Sequence, residues 1–398
     1  MKYDATIVGG GLVGLTIGLL LSRIGMRVAI IEQEAPCLQW EPNSVDLRCL
    51  AINRFSSEIL KKINIWDTLS PLQLSPYTVM EVWEEATQAK ITFNALDIYE
   101  SELGHIIENR MLIKALWEAV SQDSGITLYV PAIIDTIRTS PQNTLLTLES
   151  GQSIEAPLLI GADGARSIVR TYCNIAVNEQ DYEQMALVTT AQVELPHAKT
   201  ARQRFLNDGI LAFLPLVRPH LCSIVWSTSI ENAEHLLQME GDEFCQTLGQ
   251  RFEFCLGRIE KISQRMCFHL KSLQATTYIG ERIALMGDSA HVVHPFAGQG
   301  ANLGFYDVGI LADCIQKFYN QGSDIGSHLL LREYERKCKS HNTTVMRTLQ
   351  LFKEIFAAKN PLLVQLRSLG ILGIDKSLFL KKQIMLKAMG LSEHANFF

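Results

Sequence analysis

Glycine and acidic side chains occur together at three places in this sequence, each where an apolar strand is predicted to end. The first place is Gly9-x-Gly11-x-x-Gly14, which follows a predicted strand and opens a predicted helix. Glu32 ends the next predicted strand, 18 residues after Gly14. This order, with an acid after about 20 residues, is typical of dinucleotide binding. Gly9 would permit the turn, Gly11 would let a pyrophosphate approach, Gly14 would let helix and strand pack, and Glu32 would bind a ribose.

The second place is the longest and lies at 283–304. An apolar strand ends at Gly287-Asp288, a loop carries His291, His294 and Pro295, and a glycine-rich segment then opens a helix. The carboxylate of Asp288 could accept hydrogen bonds from the hydroxyls of a bound sugar, and the start of a helix can hold an anion. Alone, this stretch also fits a tight turn between a core strand and a core helix. The helix start comprises Gly298, Gln299, Gly300, Ala301, Asn302 and Leu303.

The third place is Gly161-Ala-Asp163-Gly164, which ends a predicted strand at 158–160. Asp163 either caps the short helix that follows or contacts a ligand. Because the first and second places also lie on strand ends, we favour ligand binding.

Two arginines and two histidines are further candidates for chemistry. Arg48 and Arg110 could reach a pyrophosphate, as arginine does well, or could simply face water. His291 and His294 lie in a loop, where histidines are more often structural than catalytic. We therefore assign no catalytic acid or base, and we predict no metal site.

Composition narrows the class of protein. The 398 residues are 47% hydrophobic and 20% charged, which is ordinary for a globular chain. The net charge of −6 argues against a nucleic-acid partner. Nine cysteines without a Cys-x-x-Cys pair indicate reduced thiols, and no signal-peptide layout is seen, so we expect a cytoplasmic protein. No apolar run approaches the roughly 18 residues that span a bilayer.

The elements around the three places predict an α/β chain with a second, strand-rich part. Alternating segments at 78–83 and 89–93 predict an antiparallel pair, and 184–280 is rich in strands with one helix at 233–256. Helices are predicted at 304–319, 328–356 and 360–370. Lys381, Lys382 and Lys387 lie in a last apolar segment, which could rest on an anionic membrane but more often packs on its own protein. One wall of an apolar pocket is predicted from Phe213, Leu214, Pro215 and Trp226, although ordinary core is the more frequent role.

The three places, in order, resemble the three signatures of the class A flavoprotein aromatic hydroxylases. Finer stretches, at 80–83, 103–109, 209–216, 220–227 and 387–391, are similar to the ubiquinone-biosynthesis hydroxylases and most of all to the branch that acts on 2-polyprenylphenols. The resemblance covers essentially the whole chain. Ser289 departs from the family pattern, where alanine is usual, and Arg110 stands where some relatives have a smaller residue.

The resemblance implies a Rossmann-like FAD-binding domain of the para-hydroxybenzoate hydroxylase type, with an inserted antiparallel-sheet substrate domain and C-terminal helices. The FAD-binding domain would comprise 1–72, 100–180 and 281–325, the substrate domain 73–99 and 181–280, and the helical region 326–398. Arg48 and Arg110 would lie near the FAD phosphates or ribityl chain, Asp288 would hold the ribityl chain, and Pro295 would lie beside the isoalloxazine. The backbone amides of 298–303 would face its N1–C2=O edge, where the reduced flavin is anionic.

The activity implied is hydroxylation of a polyprenylphenol ring at C5, the 2-polyprenylphenol 6-hydroxylase reaction of ubiquinone biosynthesis. It would use O2 and NAD(P)H or another reductant through a flavin C4a-hydroperoxide, with water excluded by an apolar sheet. Two alternatives stay open: a sister hydroxylase acting at C1 or C6, and a non-catalytic FAD-holding scaffold subunit. Expected partners are other ubiquinone-biosynthesis proteins and a second copy of the chain, and the greasy substrate suggests a peripheral membrane contact.

Overall fold

The computed structural model describes residues 1–41, 44–70, 73–87, 89–293, 298–357 and 360–391. The strands are β1 Ala5–Val8, β2 Val28–Ile31, β3 Cys49–Ile52, β4 Ser75–Tyr77, β5 Val79–Glu84, β6 Lys90–Asn94, β7 Gly104–Glu108, β8 Ile126–Tyr129, β9 Ile134–Thr139, β10 Thr144–Leu148, β11 Ser153–Ala156, β12 Leu159–Gly161, β13 Val177–Val193, β14 Thr200–Leu206, β15 Gly209–Pro215, β16 Leu221–Ser229, β17 Ile259–Ile262, β18 Met266–Ala275, β19 Ile279–Gly280, β20 Ile283–Leu285 and β21 His291–Val292. The helices are α1 Leu12–Arg23, α2 Arg54–Lys62, α3 Asn109–Gln122, α4 Ile168–Tyr172, α5 Ile230–Gln238, α6 Gly241–Arg251, α7 Gln299–Asn320, α8 His328–Ala357, α9 Pro361–Lys376 and α10 Leu378–Ala388.

A mostly parallel sheet forms the centre of the first core. Its order is β19-β20-β12-β1-β2-β8, and only the short β19 runs antiparallel to its neighbour. Every residue of β1, β2, β12 and β20 is buried, as expected for parallel strands that are covered on both faces. This arrangement confirms the predicted α/β class with its Rossmann-like order of strand, helix and strand.

A large, mostly antiparallel sheet forms the second core, in which only β14 and β5 pair in parallel. Its order is β21-β18-β13-β16-β15-β14-β5-β6, with β17 added beside β13. The predicted pair at 78–83 and 89–93 is present as β5 and β6, and it joins this sheet through β14. The predicted single helix at 233–256 is instead two helices, α5 and α6, because the chain leaves helical geometry at Met239 and Glu240, which have ψ of 141° and 153°.

The two faces of the large sheet meet different partners, because successive side chains of a strand point to opposite faces. Leu211 and Phe213 of β15 point toward α5 and α6, in a core that includes Phe244 and Phe252. The other face meets the C-terminal helices. There Phe205 of β14 stacks on Phe356 of α8 with ring centroids 3.6 Å apart.

A small sheet of order β3-β7-β4 lies between the two cores. Helix α7 contacts β3 and also packs against α1, α2 and α8. The start of α7 is therefore held between the parallel sheet and the small sheet. In the described part of the chain, none of the helices combines the length and the apolar character needed to cross a membrane.

Candidate functional site

The three glycine-and-acid places lie side by side at one edge of the parallel sheet. Val8 pairs with Ile31 on one side and with Gly161 on the other, and Gly161 pairs with Leu285. Each of these residues ends its strand or stands next to its end, and the strands are parallel. The loops that follow them therefore leave the sheet at the same edge, where ligands of open α/β sheets bind.

The glycines of the first loop are required by close backbone contacts. A Cβ on Gly9, whose φ is 109°, would come within 2.3 Å of the carbonyl oxygen of Ala162, and a Cβ on Gly14 would come within 1.9 Å of the carbonyl oxygen of Gly9. A Cβ on Gly11 would meet no described atom within 4 Å. Gly9 and Gly14 therefore serve packing, whereas the surface over Gly11 is open to a ligand.

Glu32 lies beside the same loop. Its carboxylate accepts a hydrogen bond from the backbone N–H of Gly10, and its Oε1 accepts another from Gln33 N at 2.8 Å. The acid is thus oriented toward the glycine turn, at the position that contacts a ribose in dinucleotide-binding folds.

Asp163 both caps a helix and keeps one oxygen without a partner. Its Oδ2 accepts from the backbone N–H groups of Ile168 at 2.8 Å and Val169 at 3.2 Å. Its Oδ1 is buried and has no hydrogen-bond partner among the described residues. Burial raises the pKa of Asp163 and outweighs the hydrogen bonds that it accepts. A buried carboxylate oxygen without a partner at a ligand-binding edge fits a hydrogen bond from a ligand hydroxyl.

The Gly287-Asp288 turn has an exposed carboxylate and is held in place by a buried acid of α7. Asp288 is exposed, and the N–H of Gly287 donates to Asp307 Oδ2 at 2.9 Å. Val13 of α1 lies between the loops of the first and second places, because a Cβ on Gly287 or Gly304 would come within 3.0 or 2.7 Å of its side chain. The first and second places therefore form one packed unit.

The start of α7 is fixed by Asn302. Its Nδ2 donates to the carbonyl of Ala51 at 2.8 Å, and its Oδ1 accepts from Asn53 N at 3.0 Å and Ser56 Oγ at 2.8 Å. Gly298 at the N-cap has φ of 62°, and no side chain in the described residues caps the helix. A helix start without a side-chain cap, held rigidly, suits an anionic group. The predicted residues His294 and Pro295 lie outside the described residues.

The two predicted arginines differ in their surroundings. Arg110 is already engaged: its guanidinium pairs with Glu108 at 2.8 Å and lies 4.7 Å from the centroid of the Trp40 ring. It also donates to Ser44, so it shapes the segment that leads into β3. Arg48 is exposed, and no ion pair to it is formed among the residues that the structure describes. Of the two, Arg48 is the freer to reach a phosphate.

A buried polar cluster below the turn was not predicted from the sequence. Nε2 of His291 lies 2.6 Å from Asp307 Oδ2, and Nδ2 of Asn342 donates to Asp307 Oδ1 at 2.9 Å. Burial opposes a charge on His291, but the charge and hydrogen bond of Asp307 prevail and raise its pKa. An acid that falls within the apolar stretch of a predicted helix was the available signal. His291 thus has a structural partner, and it supports the Gly287-Asp288 turn through Asp307.

Ser289, the departure from the family pattern, links the second and third places. Its hydroxyl lies 2.6 Å from the carbonyl oxygen of Gly161 and 2.8 Å from that of Met286. Arg170 of α4 adds a second link, because its guanidinium donates to the carbonyls of Ser289 at 2.8 Å and Ala165 at 2.6 Å. Neither residue was predicted to contribute to the site.

The residues predicted as a pocket wall lie mostly in the second core. Phe213 stacks on Phe252 with centroids 3.7 Å apart, and Trp226 packs near Phe244. Both point toward α5 and α6 rather than toward the glycine-and-acid edge. Pro215 is buried on the Phe213 side of β15, whereas Leu214 alternates to the other side and is partly exposed.

A cleft of about 160 Å³ lies on the other face of the large sheet. Val293, directly after β21 in the second place, lines it together with residues of the sheet and of α8. The apolar lining residues are Ile210, Val293, Met346 and Leu349, and the aromatic, polar and charged ones are Gln180, Tyr182, Ser272, Arg347, Gln350 and Lys353. Nζ of Lys353 lies 3.8 Å from the centroid of the Tyr182 ring, and burial lowers its pKa. The cleft therefore joins the second place to a partly apolar wall that carries two cations, Lys353 and Arg347.

Comparisons with known proteins agree with this geometry. The family described as FAD binding domain matches residues 2–348. The chain is 32% identical to 3-demethoxyubiquinol 3-hydroxylase of Escherichia coli (strain K12), over 98% of both chains. It is also 32% identical to the mitochondrial ubiquinone biosynthesis monooxygenase COQ6 of Drosophila melanogaster, over 98% of this chain and 90% of that one. Ubiquinone hydroxylase UbiL of Rhodospirillum rubrum is 32% identical, over 97% and 89%.

Solved structures share the fold. The p-nitrophenol 4-monooxygenase PnpA of Pseudomonas putida DLL-E4 superimposes with a TM-score of 0.78 at 17% identity, over 98% of both chains. PqsL of Pseudomonas aeruginosa in complex with 2-aminobenzoylacetate gives 0.75 at 21% identity, over 87% of this chain and 94% of that one. The open edge at Gly11, the unpaired oxygen of Asp163 and the uncapped start of α7 fit FAD as the cofactor. The chain belongs to the FAD-binding flavin monooxygenases and, among them, to the family of the ubiquinone-biosynthesis hydroxylases.

Proposed function

We propose that this enzyme hydroxylates the aromatic ring of a polyprenylphenol in ubiquinone biosynthesis, at C5, in the 2-polyprenylphenol 6-hydroxylase reaction. The co-substrates are O2 and NAD(P)H or another reductant. The observation that carries the proposal is the cleft in which Val293 of the second place meets one face of the large sheet. When bound, FAD supplies the activation of O2.

The size and lining of the cleft suit one aromatic ring. Its volume of about 160 Å³ is close to the roughly 150 Å³ of an apolar cavity that binds benzene. Ile210, Met346 and Leu349 give it an apolar side against which a ring can pack. Helix α8 covers it from the side opposite the sheet. A ring held here lies against the loop that follows β21.

Lys353 and Arg347 are the two cationic side chains that line the cleft. Burial lowers the pKa of Lys353, which favours its neutral amine, the form that can accept a proton from a phenol. The ammonium formed in this way can pair with the phenolate. A phenolate has a more electron-rich ring than a phenol. Lys353 would therefore orient the ring and raise its reactivity, with Tyr182 holding the ammonium in place.

The ring position is tested by the quinone intermediates of a deletion strain. We expect a 2-polyprenylphenol-type intermediate to accumulate, and we expect the wild-type gene to restore ubiquinone. Accumulation of a methoxylated late intermediate would instead assign the chain to a sister reaction. That second candidate is favoured by the 32% identity to 3-demethoxyubiquinol 3-hydroxylase. A normal quinone profile would contradict both.

The role of the cleft is tested by Lys353→Met in the FAD-loaded enzyme. We expect kcat/KM to fall about 10²-fold, with the FAD content unchanged and the pH dependence of kcat flattened, because general acid–base groups contribute about 10²–10⁴-fold. Lys337→Met is the matched control, since Lys337 lies on the same helix but pairs with Glu333 at 2.9 Å. An unchanged pH profile in Lys353→Met would remove Lys353 from the proposal.

The chemistry of the substrate supports further proposals about partners and location. A polyprenyl tail partitions into lipid, so the enzyme is proposed to be cytoplasmic with a peripheral membrane contact. Other ubiquinone-biosynthesis proteins and a second copy of the chain are the proposed protein partners. Full activity on a short-tailed phenol without lipid, together with recovery of all the protein in the soluble fraction of a cell lysate, would contradict the membrane contact.

A further inference from the structure

Helices α9 and α10 present a continuous apolar surface to solvent. No residue of α9 is fully buried, and Leu369 and Phe379 remain 66% and 70% exposed. Along α9 the exposed leucines include Leu362, Leu366 and Leu369, which lie on one stripe of the helix. We name this surface the hairpin face and define it by Leu362, Leu366, Leu369, Leu372, Phe379 and Ile384.

The hairpin face continues onto a neighbouring turn. Leu96 is exposed in the short 3-10 helix Ala95–Ile98, which contacts α10, and Tyr99, directly after that helix, is 91% exposed. Nζ of Lys382 lies 5.1 Å from the centroid of the Tyr99 ring. Aromatic rings and lysines at the border of an apolar surface are typical of segments that rest at a membrane interface.

Helices α9 and α10 form a hairpin, and its net charge is opposite in sign to that of the whole chain. Residues 361–391 carry five cations and one carboxylate, a net charge of +4, whereas the whole chain has −6. Lys376 and Lys387 are exposed, and Lys381 pairs with Asp375 at 3.2 Å. A basic and apolar surface on an acidic protein is complementary to an anionic surface with an apolar interior.

The hairpin is anchored on its inner side, so its outer side keeps a fixed orientation. Arg367 pairs with Glu84 of β5 at 2.5 Å, with both side chains almost fully buried. Met385 and Met389 are buried in a small core with Leu103. The predicted packing of the last segment on its own protein is therefore found on this inner side, and Lys376 and Lys387 are exposed outside it.

We propose that the hairpin face docks on the surface of an anionic lipid bilayer. The helices are not of a kind that spans a membrane, so they would lie in the plane of the interface. Because they cover the same face of the large sheet as the cleft, docking brings the cleft next to the lipid in which a polyprenyl tail dissolves. This last point rests on the proposed function, whereas the docking itself does not.

The test is flotation of the FAD-loaded enzyme with lipid vesicles, which involves no turnover. One set of vesicles is phosphatidylcholine alone, and the other contains about 30% phosphatidylglycerol. We expect the wild type to float with the anionic vesicles and to be released by high salt, since screening weakens the attraction of lysines to the surface. Failure of the wild type to float with anionic vesicles would overturn the proposal, even if the hydroxylase activity is as proposed.

Two variants separate the apolar and the charged contributions. Leu362→Gln, Leu366→Gln and Leu369→Gln together should lower the partition coefficient at least about 30-fold, because the buried apolar area is lost. Lys376→Gln with Lys387→Gln should lower it about tenfold or more on anionic vesicles, since each lysine near such a surface contributes substantially. Leu195→Gln, Leu329→Gln and Lys261→Gln, all exposed elsewhere, should float as the wild type does.

Other occupants of the hairpin face predict different results. If a second copy covers it, the triple leucine variant changes a dimer to a monomer in sedimentation, while the wild type does not float. That outcome overturns the proposal. A triple variant that keeps its FAD and melting temperature but floats as well as the wild type also overturns it. The lysine variant keeps the test valid if the leucine variant does not fold.

Discussion

The glycine-and-acid edge and the C-terminal hairpin are held in place in opposite ways. At the edge, each backbone turn is fixed by a buried polar side chain: Asp307 holds Gly287, Asn302 holds β3, and Ser289 holds Gly161. In the hairpin, α9 has no fully buried residue, and one buried ion pair between Arg367 and Glu84 anchors it to the sheet.

The difference follows from what each region must do. A cofactor site needs groups that keep their positions when the ligand arrives, and a satisfied buried network provides this rigidity. The hairpin lies on the surface beside the cleft and can open without unfolding the core, because regions with little buried apolar area open at low free energy. The four predictions below test whether the two regions are separate in this sense.

The largest effect is expected from Asp307→Ala. The change leaves His291, Asn342 and the N–H of Gly287 without their acceptor, and breaking such a buried pair costs about 3–5 kcal/mol. Urea unfolding of the FAD-loaded protein should show this loss, together with a lower FAD content. Asp313→Asn, on the same helix, should not destabilise, because burial raises the pKa of Asp313 and so already disfavours its charge. A loss under about 1 kcal/mol in Asp307→Ala would contradict the proposed role.

Arg367→Met should release the hairpin but not the edge. The unpaired Glu84 makes docking of α9 less favourable by about 3 kcal/mol, or roughly 10²-fold in the opening equilibrium. Hydrogen exchange should show this loss of protection in α9 and not in β1 or β12. The double variant with Glu84→Gln should recover much of the protection, since no unpaired charge remains. Equal loss of protection in β1 would mean that edge and hairpin unfold as one unit.

The stability of the edge should fall as the pH rises. The pKa of His291 is raised in the folded protein, so its contribution is complete below its unfolded value of about 6.5 and is lost as the pH rises through the folded value. The slope can reach about 1.4 kcal/mol per pH unit. Urea midpoints above about pH 6.5 measure it, and His291→Gln should remove it. His235→Gln, exposed on α5, should keep it; a flat wild-type profile would contradict the charged pair.

The smallest effect is expected from Ser289→Ala. The hydroxyl donates its one proton to the carbonyl of Gly161 or of Met286, which lie 2.6 and 2.8 Å away, and loss of one such bond costs about 1 kcal/mol. Thermal unfolding measures the change, and FAD should remain bound. Ser121→Ala, whose hydroxyl bonds only within its own helix, should stay within about 0.5 kcal/mol of the wild type. A Ser289→Ala protein that loses FAD would give this residue a larger role than proposed.

The edge was predictable because its signals are local. Glycines that a turn requires, and acids that follow a strand, stand within a few residues of each other, so the pattern identifies the loop before the fold is known. The helices predicted at 304–319 and 328–356 are present as α7 and α8, since the spacing of apolar residues that indicates a helix is also a local pattern. The support beneath the edge was not predictable, since Asp307 meets His291 and Asn342 only after three separate segments pack together.

The cleft and the hairpin face could not be predicted from the sequence, because both depend on which face of a strand or helix other elements cover. The segment of Ile210 to Leu214 is apolar at every position, so alternation gives no sign of the core side. The packing of α5 and α6 determines which side of this strand faces the core: Phe213 lies in the core, and Leu214 lies on the other side. The helix predicted at 360–370 is present as α9, but the sequence does not show which of its faces is covered; the structure exposes the leucine stripe and turns Arg367 inward to Glu84.

The most direct test of the account is a titration of FAD into the cofactor-free protein, followed by flavin fluorescence. The central claim is that the strand-end edge holds FAD and that the buried, unpaired oxygen of Asp163 takes part. We predict one FAD per chain for the wild type and for Asp135→Asn, an exposed acid on β9. We predict about 10- to 100-fold weaker binding for Asp163→Asn, the effect of losing about 1.5–3 kcal/mol from a hydrogen bond to a charged group. Equal affinity of Asp163→Asn and the wild type, or no uptake of FAD by the wild type, would contradict the account.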